Sequence, residues 1–177
     1  MIEQAALNAA YTAPNSSLYE SPELALKRLS EFTHSGLALV NKISPTESVI
    51  DIGCGQNIFK KYIPNLIGID PVYDAADYKT DLQSFVTDQK FDVAFCLGSI
   101  HHGNEEDIEQ QISRVVALLK PKARIYWRLN PYAGKFGKFE WTLEYSFKFA
   151  KQFNFDLVHH EWEMIHTQRR LYVEWAN

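Results

Sequence analysis

Cysteine is scarce in this chain, with Cys54 and Cys96 the only two among 177 residues. Two thiols without histidine or carboxylate company at fixed spacing cannot build a disulfide scaffold or a metal centre, and they read as small reduced core residues. Long apolar runs are missing too: nothing approaches the roughly 18 consecutive residues of a membrane-spanning helix. Met1-Ile2-Glu3-Gln4 lacks the basic start and apolar core of a secretory leader. A soluble, cytoplasmic protein with no membrane partner is the expectation. Repeats and low-complexity tracts are absent, and nothing after residue 45 has the composition of a linker. There is no excess of positive charge either, since 18 Lys/Arg face 22 Asp/Glu for a net −4 and a pI near 5.9. General nucleic-acid binding is therefore not expected.

What is present fits one compact domain. A chain of 177 residues, 46% of them hydrophobic, can bury a sizeable core. Its charge is unevenly spread: residues 1–113 carry 7 basic and 16 acidic side chains, net −9, whereas residues 114–177 carry 11 and 6, net +5. Such asymmetry gives an uneven field.

The most informative stretch is Val49-Ile50-Asp51-Ile52-Gly53-Cys54-Gly55-Gln56-Asn57. Its β-branched apolar run is that of a strand buried on both faces. Gly53 and Gly55 can adopt positive φ and let a ligand approach main chain. Leu66-Ile67-Gly68-Ile69-Asp70 repeats the pattern and ends in a carboxylate, the residue type and spacing with which nucleoside-binding α/β folds hold ribose hydroxyls. Asn57 and Ile58 stand where a G-x-G-x-x-G dinucleotide motif would continue to its last glycine, which counts against NAD and a nicotinamide oxidoreductase.

Asp51-Ile52-Gly53-Cys54-Gly55, Gly68-Ile69-Asp70, Thr80-Asp81-Leu82 and Phe91-Asp92-Val93-Ala94-Phe95, taken as an ordered set, resemble class I S-adenosylmethionine-dependent methyltransferases over roughly residues 45–175. The resemblance implies S-adenosyl-L-methionine as cofactor and methyl transfer as activity. It assigns Asp51, Gly53, Cys54 and Gly55 to the methionine end of that cofactor, and Asp70, followed by the turn residue Pro71, to the ribose. Asp81 and Leu82 would contact adenine, and Leu97, Gly98 and Ser99 would form the adjoining wall. Asp81 as a plain helix N-cap is the competing reading. The resemblance also implies that residues 1–44, an arm and short helices, close over a site carried by residues 45–177, which would bring Tyr11 or Tyr19 near it. A catalytically silent partner that keeps the fold is the alternative to an enzyme.

The remaining elements follow from pattern. Ser21-Pro22 starts a helix with Leu24, Leu29 and Phe32 on one stripe, and a short helix follows from Gly36 to Lys42. Asn57–Tyr62 reads as a short helix whose amides would suit the cofactor carboxylate, Tyr78–Asp81 as a brief strand, and Asp81 to Phe85 as a short helix. Phe91–Leu97 and Ala123–Leu129 are strands, Glu105–Leu119 and Trp141–Phe153 amphipathic helices, and Phe155–Ile165 with Arg170–Trp175 an antiparallel hairpin. The fold class is α/β: a doubly wound, mostly parallel sheet with helices on both faces and an antiparallel C-terminal hairpin.

Two stretches carry acceptor chemistry. His101-His102 follows the Phe91–Leu97 strand, where open α/β sheets bind ligands. Adjacent histidines seldom meet at one ion, so a metal site is not expected. They are weak candidates for a general base beside a structural hydrogen-bonding role. The loop Asn130-Pro131-Tyr132-Ala133-Gly134-Lys135-Phe136-Gly137-Lys138-Phe139 offers Tyr132 and Phe136 for stacking and Lys135 and Lys138 for an anion, which suggests an anionic or flat aromatic acceptor. A simple connector is the other reading. The acceptor is either a small metabolite or an exposed macromolecular group, and no pattern fixes which, or an oligomeric state.

Overall fold

A computed structural model describes residues 21–131, 138–165 and 168–177. Tyr11, Tyr19, Tyr132, Lys135, Phe136 and the hairpin turn His166-Thr167 lie outside the described residues. Six strands form one sheet: β1 (Val49–Ile52), β2 (Leu66–Ile69), β3 (Phe91–Leu97), β4 (Leu119–Leu129), β5 (Asp156–Ile165) and β6 (Gln168–Ala176). Their order is β2-β1-β3-β4-β6-β5. The first four are mutually parallel and β6 runs antiparallel to both β4 and β5. The chain goes from β1 outward to β2 and then returns past β1 to β3, which places a topological switch between β1 and β3. Crevices at such points, outside the carboxyl ends of the strands, are where open α/β sheets bind ligands.

The two sheet faces are covered unequally. On one, Ile50, Ile52, Ala94, Ile125 and Trp127 pack against α2 (Glu105–Ala117) and α3 (Leu143–Gln152) through Ile108, Ile112, Val115 and Phe149. Asn104 closes a reciprocal capping box with Asp107 at the start of α2, and Thr142 caps α3 through the Tyr145 amide. On the other face Val49, Val93, Phe95, Tyr126 and Tyr172 meet Leu39, Phe59 and Ile63 from short 3-10 segments, with Leu29 of α1 (Pro22–Glu31) alongside.

Several elements are shorter than their patterns suggest. Gly36–Lys42 and Asn57–Tyr62 reduce to 3-10 helices, Leu37–Lys42 and Ile58–Lys61. Asn57 enters its helix at φ 52°, and Pro64 follows too soon for an α-helix to propagate. The strand at Tyr78–Asp81 is a single parallel bridge from Ile69 to Tyr78. The helix after Asp81 is one turn: Asp81 Oδ1 accepts from the Ser84 amide at 2.8 Å and its carbonyl from Phe85 at 3.0 Å. The stripe on α1 is not buried. Leu24 is 53% exposed and no residue of the helix is fully covered, Leu29 being only partly buried against the second cluster.

Candidate functional site

The glycine turn is built by its own backbone geometry. Gly53 takes φ 74° and Gly55 φ 54°, conformations that disfavour a side chain. A Cβ on Gly53 would stand 2.6 Å from the Cβ of Ser99, so the turn after β1 and the loop after β3 touch there. A Cβ on Gly55 would meet nothing within 4 Å, so that residue faces open space. The amides of Gly53 and Cys54 both donate to the Ile69 carbonyl, at 2.9 and 3.1 Å. The Gly55 amide donates to Asp70 Oδ2 at 3.0 Å. The main-chain donors that resemble an anion cradle in the sequence are thus already used to join β1 to β2.

Asp70 is more deeply placed than a strand-end residue on the rim would be, at 7% exposure. Its Oδ1 accepts from the amides of Val72 and Tyr73, at 2.8 and 3.1 Å, beyond Pro71. Asn57, in the position of a possible third glycine, has a role of its own. Its Nδ2 donates to the Ala75 carbonyl and to Asp77 Oδ2, at 3.1 and 3.2 Å, and its side chain lies against Gly68, where a Cβ would come within 2.5 Å of Oδ1. Asp77 also takes the Gly68 amide at 2.8 Å and pairs with Lys60. Burial opposes ionisation of Asp77, but these partners prevail and hold its pKa below the usual carboxylate value.

Asp51 lies nearly buried on the thinly covered face of β1. Burial, with a smaller push from Asp70, raises its pKa to about 7 against the pull of Arg128. The Cys54 thiol is held well above its ordinary value by burial and then by Asp51, Asp70 and Asp77, so it is a neutral wall and no nucleophile. Leu82 points into the core at 8% exposure, and its carbonyl accepts from Arg114 Nε at 3.4 Å, while the Asp81 carboxylate is held by Ser84.

The loop after β3 supplies a different chemistry. Leu97 offers its carbonyl to Arg128 Nη2 at 2.7 Å, Gly98 takes φ 96°, and Ser99 Oγ is buried with no hydrogen-bond partner among the described residues. The rings of His101 and His102 lie 4.1 Å apart. Burial, then His102 and Lys138, presses the His101 pKa down to about 3, and burial with Lys138 takes His102 to about 4. Both imidazoles are therefore held neutral near pH 7. Lys138 bridges His102, the Phe139 amide donates to the His101 carbonyl at 2.8 Å, and Trp141 Nε1 donates to the Ile100 carbonyl at 2.8 Å. Among the described residues no three His, Cys, Asp or Glu side chains gather as a metal site.

Arg128 was not singled out by the sequence reasoning, although a signal was present. In Ala123-Arg124-Ile125-Tyr126-Trp127-Arg128-Leu129 the period of two sets Arg124 and Arg128 on the face of Tyr126, with Arg128 at the carboxyl end where ligands bind. Asn57, Asp77 and Glu163 gave no comparable signal, since their partners are remote in sequence.

No family model matches the chain, and no curated protein matches it in sequence. Solved structures do match. NodS, an N-methyltransferase from Bradyrhizobium japonicum WM9 in complex with S-adenosyl-L-homocysteine, superposes with a TM-score of 0.68 at 14% identity, over 98% of this chain and 97% of that one. The 1,6-didemethyltoxoflavin-N1-methyltransferase of Burkholderia thailandensis, with bound 1,6-didemethyltoxoflavin and S-adenosylhomocysteine, gives 0.67 at 12% identity over 98% and 86%. Magnesium protoporphyrin IX methyltransferase from Synechocystis PCC 6803, with bound S-adenosylmethionine, gives 0.63 at 13% over 99% and 92%. The chain has the Rossmann-like fold of the S-adenosylmethionine-dependent methyltransferases, as the ordered motifs imply.

Proposed function

We propose that this protein transfers a methyl group from S-adenosyl-L-methionine to a small-molecule acceptor. The observation that carries the reading is the switch-point crevice, where positive-φ Gly55 opens onto free space beside Asp70 and the Gly53–Ser99 contact leaves no room for side chains. The residues fit the cofactor by charge as well as by shape. Asp51, Asp70 and Asp77 make this end of the sheet acidic, which suits a ligand carrying a sulfonium and an ammonium. Asp51, Gly53, Cys54 and Gly55 would hold the methionine end. Asp70 Oδ2, with one amide partner, keeps a lone pair for a ribose hydroxyl beside Pro71. The Asp81-Leu82 turn would meet adenine through backbone, and Leu97, Gly98 and Ser99 would form the wall.

The cofactor supplies a methyl group already activated on sulfur, so the protein's task is to bring a nucleophile into line at near-attack distance. His101 and His102, held neutral, orient groups by hydrogen bonds and do not store protons. Tyr132, Lys135, Phe136 and Lys138 remain acceptor-side candidates on the loop after β4. Small-molecule names among the structural neighbours favour a small acceptor. Calorimetry with S-adenosylmethionine, S-adenosylhomocysteine and NAD tests the cofactor. Binding of the first two without NAD supports the reading, and the reverse pattern overturns it. Methyl transfer in an acceptor screen then separates an enzyme from a silent partner that only binds.

A further inference from the structure

At the carboxyl end of β4 the guanidinium of Arg128 is fixed without a contacting counter-ion among the described residues. Nη2 donates to the Leu97 carbonyl and the Phe32 ring lies 4.3 Å from the guanidinium carbon, so the plane of the fork is set from two sides. Nη1 is buried and has no hydrogen-bond partner, and Arg128 makes no ion pair among the described residues. The nearest acids are otherwise engaged or withheld. Glu163, buried on β5, accepts from the amides of His34 and Ser35 at 2.5 and 3.1 Å and from the Ser35 hydroxyl. Asp51 is held back from ionising by its burial. A buried guanidinium with an unmade hydrogen bond is costly, and a rigid planar fork matches a carboxylate.

Strand order says which ligand this is, given the proposed reading of the crevice on which the inference rests. Neighbouring strands are about 4.8 Å apart. With ribose at Asp70 on β2 and adenine beyond it toward Asp81, the methionine end of the cofactor would lie toward β1 and β3, and β4 would stand on the acceptor's side. The glycine turn does not compete for an anion because its amides are bound to Ile69 and Asp70. We propose that Arg128 receives a carboxylate of the methyl acceptor, so that the acceptor is an organic acid. Arg170 and Arg28 act on Arg128 alongside Glu163 and Asp51, which oppose them, and Lys138 flanks the histidines, so cations as well as acids surround the place where the acid would enter.

Benzoate, with benzamide as its neutral counterpart, is the probe, titrated calorimetrically into the full chain saturated with S-adenosylhomocysteine. Wild type is expected to bind benzoate saturably and at least tenfold more tightly than benzamide. Arg128→Gln is expected to lose that preference while keeping S-adenosylhomocysteine affinity within twofold. Arg128→Lys keeps the charge and serves if the glutamine variant does not fold, with benzoate weakened at least threefold. Equal binding of benzoate and benzamide by wild type, or unaltered benzoate binding by both variants, overturns the proposal. If Arg128→Gln loses S-adenosylhomocysteine but not methylthioadenosine, which lacks the amino-acid end, the arginine holds the cofactor's carboxylate and the acceptor assignment fails. Failure of wild type to bind S-adenosylhomocysteine at all would instead remove the underlying reading of the crevice.

Discussion

The carboxyl ends of β1 and β2 lie along the same edge of the sheet as the carboxyl ends of β4 and β5 and the amino end of β6, yet the two groups differ in sign and in completeness. On the β1–β2 side the charges are acidic, and two of the three carboxylates are filled from within. Asp70 accepts three amides and Asp77 an amide, Asn57 and Lys60. On the other side basic groups surround the buried acid Glu163, and more buried polar atoms lack a partner among the described residues: Arg128 Nη1, His101 Nδ1 and, between the two halves, Ser99 Oγ, against Asn57 Oδ1 on the acidic side. The contrast follows the sequence, whose first 113 residues carry net −9 and whose last 64 carry net +5. A finished half is preorganised for one ligand, whereas the unfinished half leaves hydrogen bonds to be made by another. The difference fits an invariant cofactor on one side and a selected acceptor on the other.

The largest expected effect tests whether the finished half is a site at all. Gly55→Val meets no protein atom, so folding should lose only the roughly 2 kcal/mol of a left-handed backbone on a branched residue. The new side chain would project into the crevice. Binding of S-adenosylhomocysteine is expected to be lost by about 4 kcal/mol or more, a factor near a thousand. A folded variant with parental affinity would remove Gly55 from the site.

Asp51 gives the next largest effect, and its sign is unusual for a carboxylate. The folded pKa of about 7 stands above the ordinary 3.8, so between these values the folded protein holds more protons than the unfolded one. Stability therefore falls as pH rises from about 4 to about 7, by as much as about 4 kcal/mol at 1.4 kcal/mol per unit. Asp51→Asn should raise the melting temperature at pH 8 and leave it nearly unchanged at pH 4. If Asp51 faces the cationic end of the cofactor, its ionisation should raise S-adenosylmethionine affinity as pH rises through 7, by at most about tenfold per unit, and Asp51→Asn should abolish that gain. A denaturation series across pH that shows no difference between the two proteins would contradict this.

Asp70→Ala combines the two currencies. Three amides lose their acceptor, so stability is expected to drop by roughly 2–3 kcal/mol, and S-adenosylhomocysteine affinity by roughly 10- to 100-fold. Chemical denaturation and calorimetry on the same sample separate the losses. Weaker folding with unaltered binding would make Asp70 a turn residue alone.

The two halves were not equally legible in the sequence. Strands β1 to β4, the helices α2 and α3 and the hairpin were readable because each carries a local apolar period and a cap or breaker at its ends, as in Asn104 to Asp107 and Thr142 to Tyr145. The glycine pair and Asp70 were readable because their spacing is local too. What escaped depends on contacts between distant segments. Nothing near Asn57 announces that it will bind Ala75 and Asp77, and nothing near Glu163 announces the amides of residues 34 and 35, some 130 positions away. The region between β2 and β3 also misled, because Asp81 caps a turn as readily as it starts a helix and too few apolar residues follow to pay for one.

The smallest expected effect falls on Lys138, and it sharpens the contrast because it should touch only the basic half. Lys138 is partly exposed and bridges His102, and its charge helps hold both imidazoles neutral. Its bridge is to His102, whereas the glycine turn meets the loop after β3 at Ser99, so Lys138→Ala should leave S-adenosylmethionine affinity within about 0.5 kcal/mol, as surface changes do. Removing the charge should raise the pKa of His102, yet burial, the larger cause, still keeps it below neutrality. Turnover should therefore gain no new acidic limb near pH 7 from the histidines, and any limb there should vanish in Asp51→Asn. If Lys138 steers an anionic acceptor, kcat/KM for that acceptor should fall in the variant by a factor that is larger at low salt and fades as ionic strength shortens the Debye length from about 30 Å at 0.01 M to about 8 Å at 0.15 M. Parental kcat/KM at every salt concentration would leave Arg128 as the cation that meets the acceptor and reduce Lys138 to the strut that ties the loop after β4 to the histidine pair.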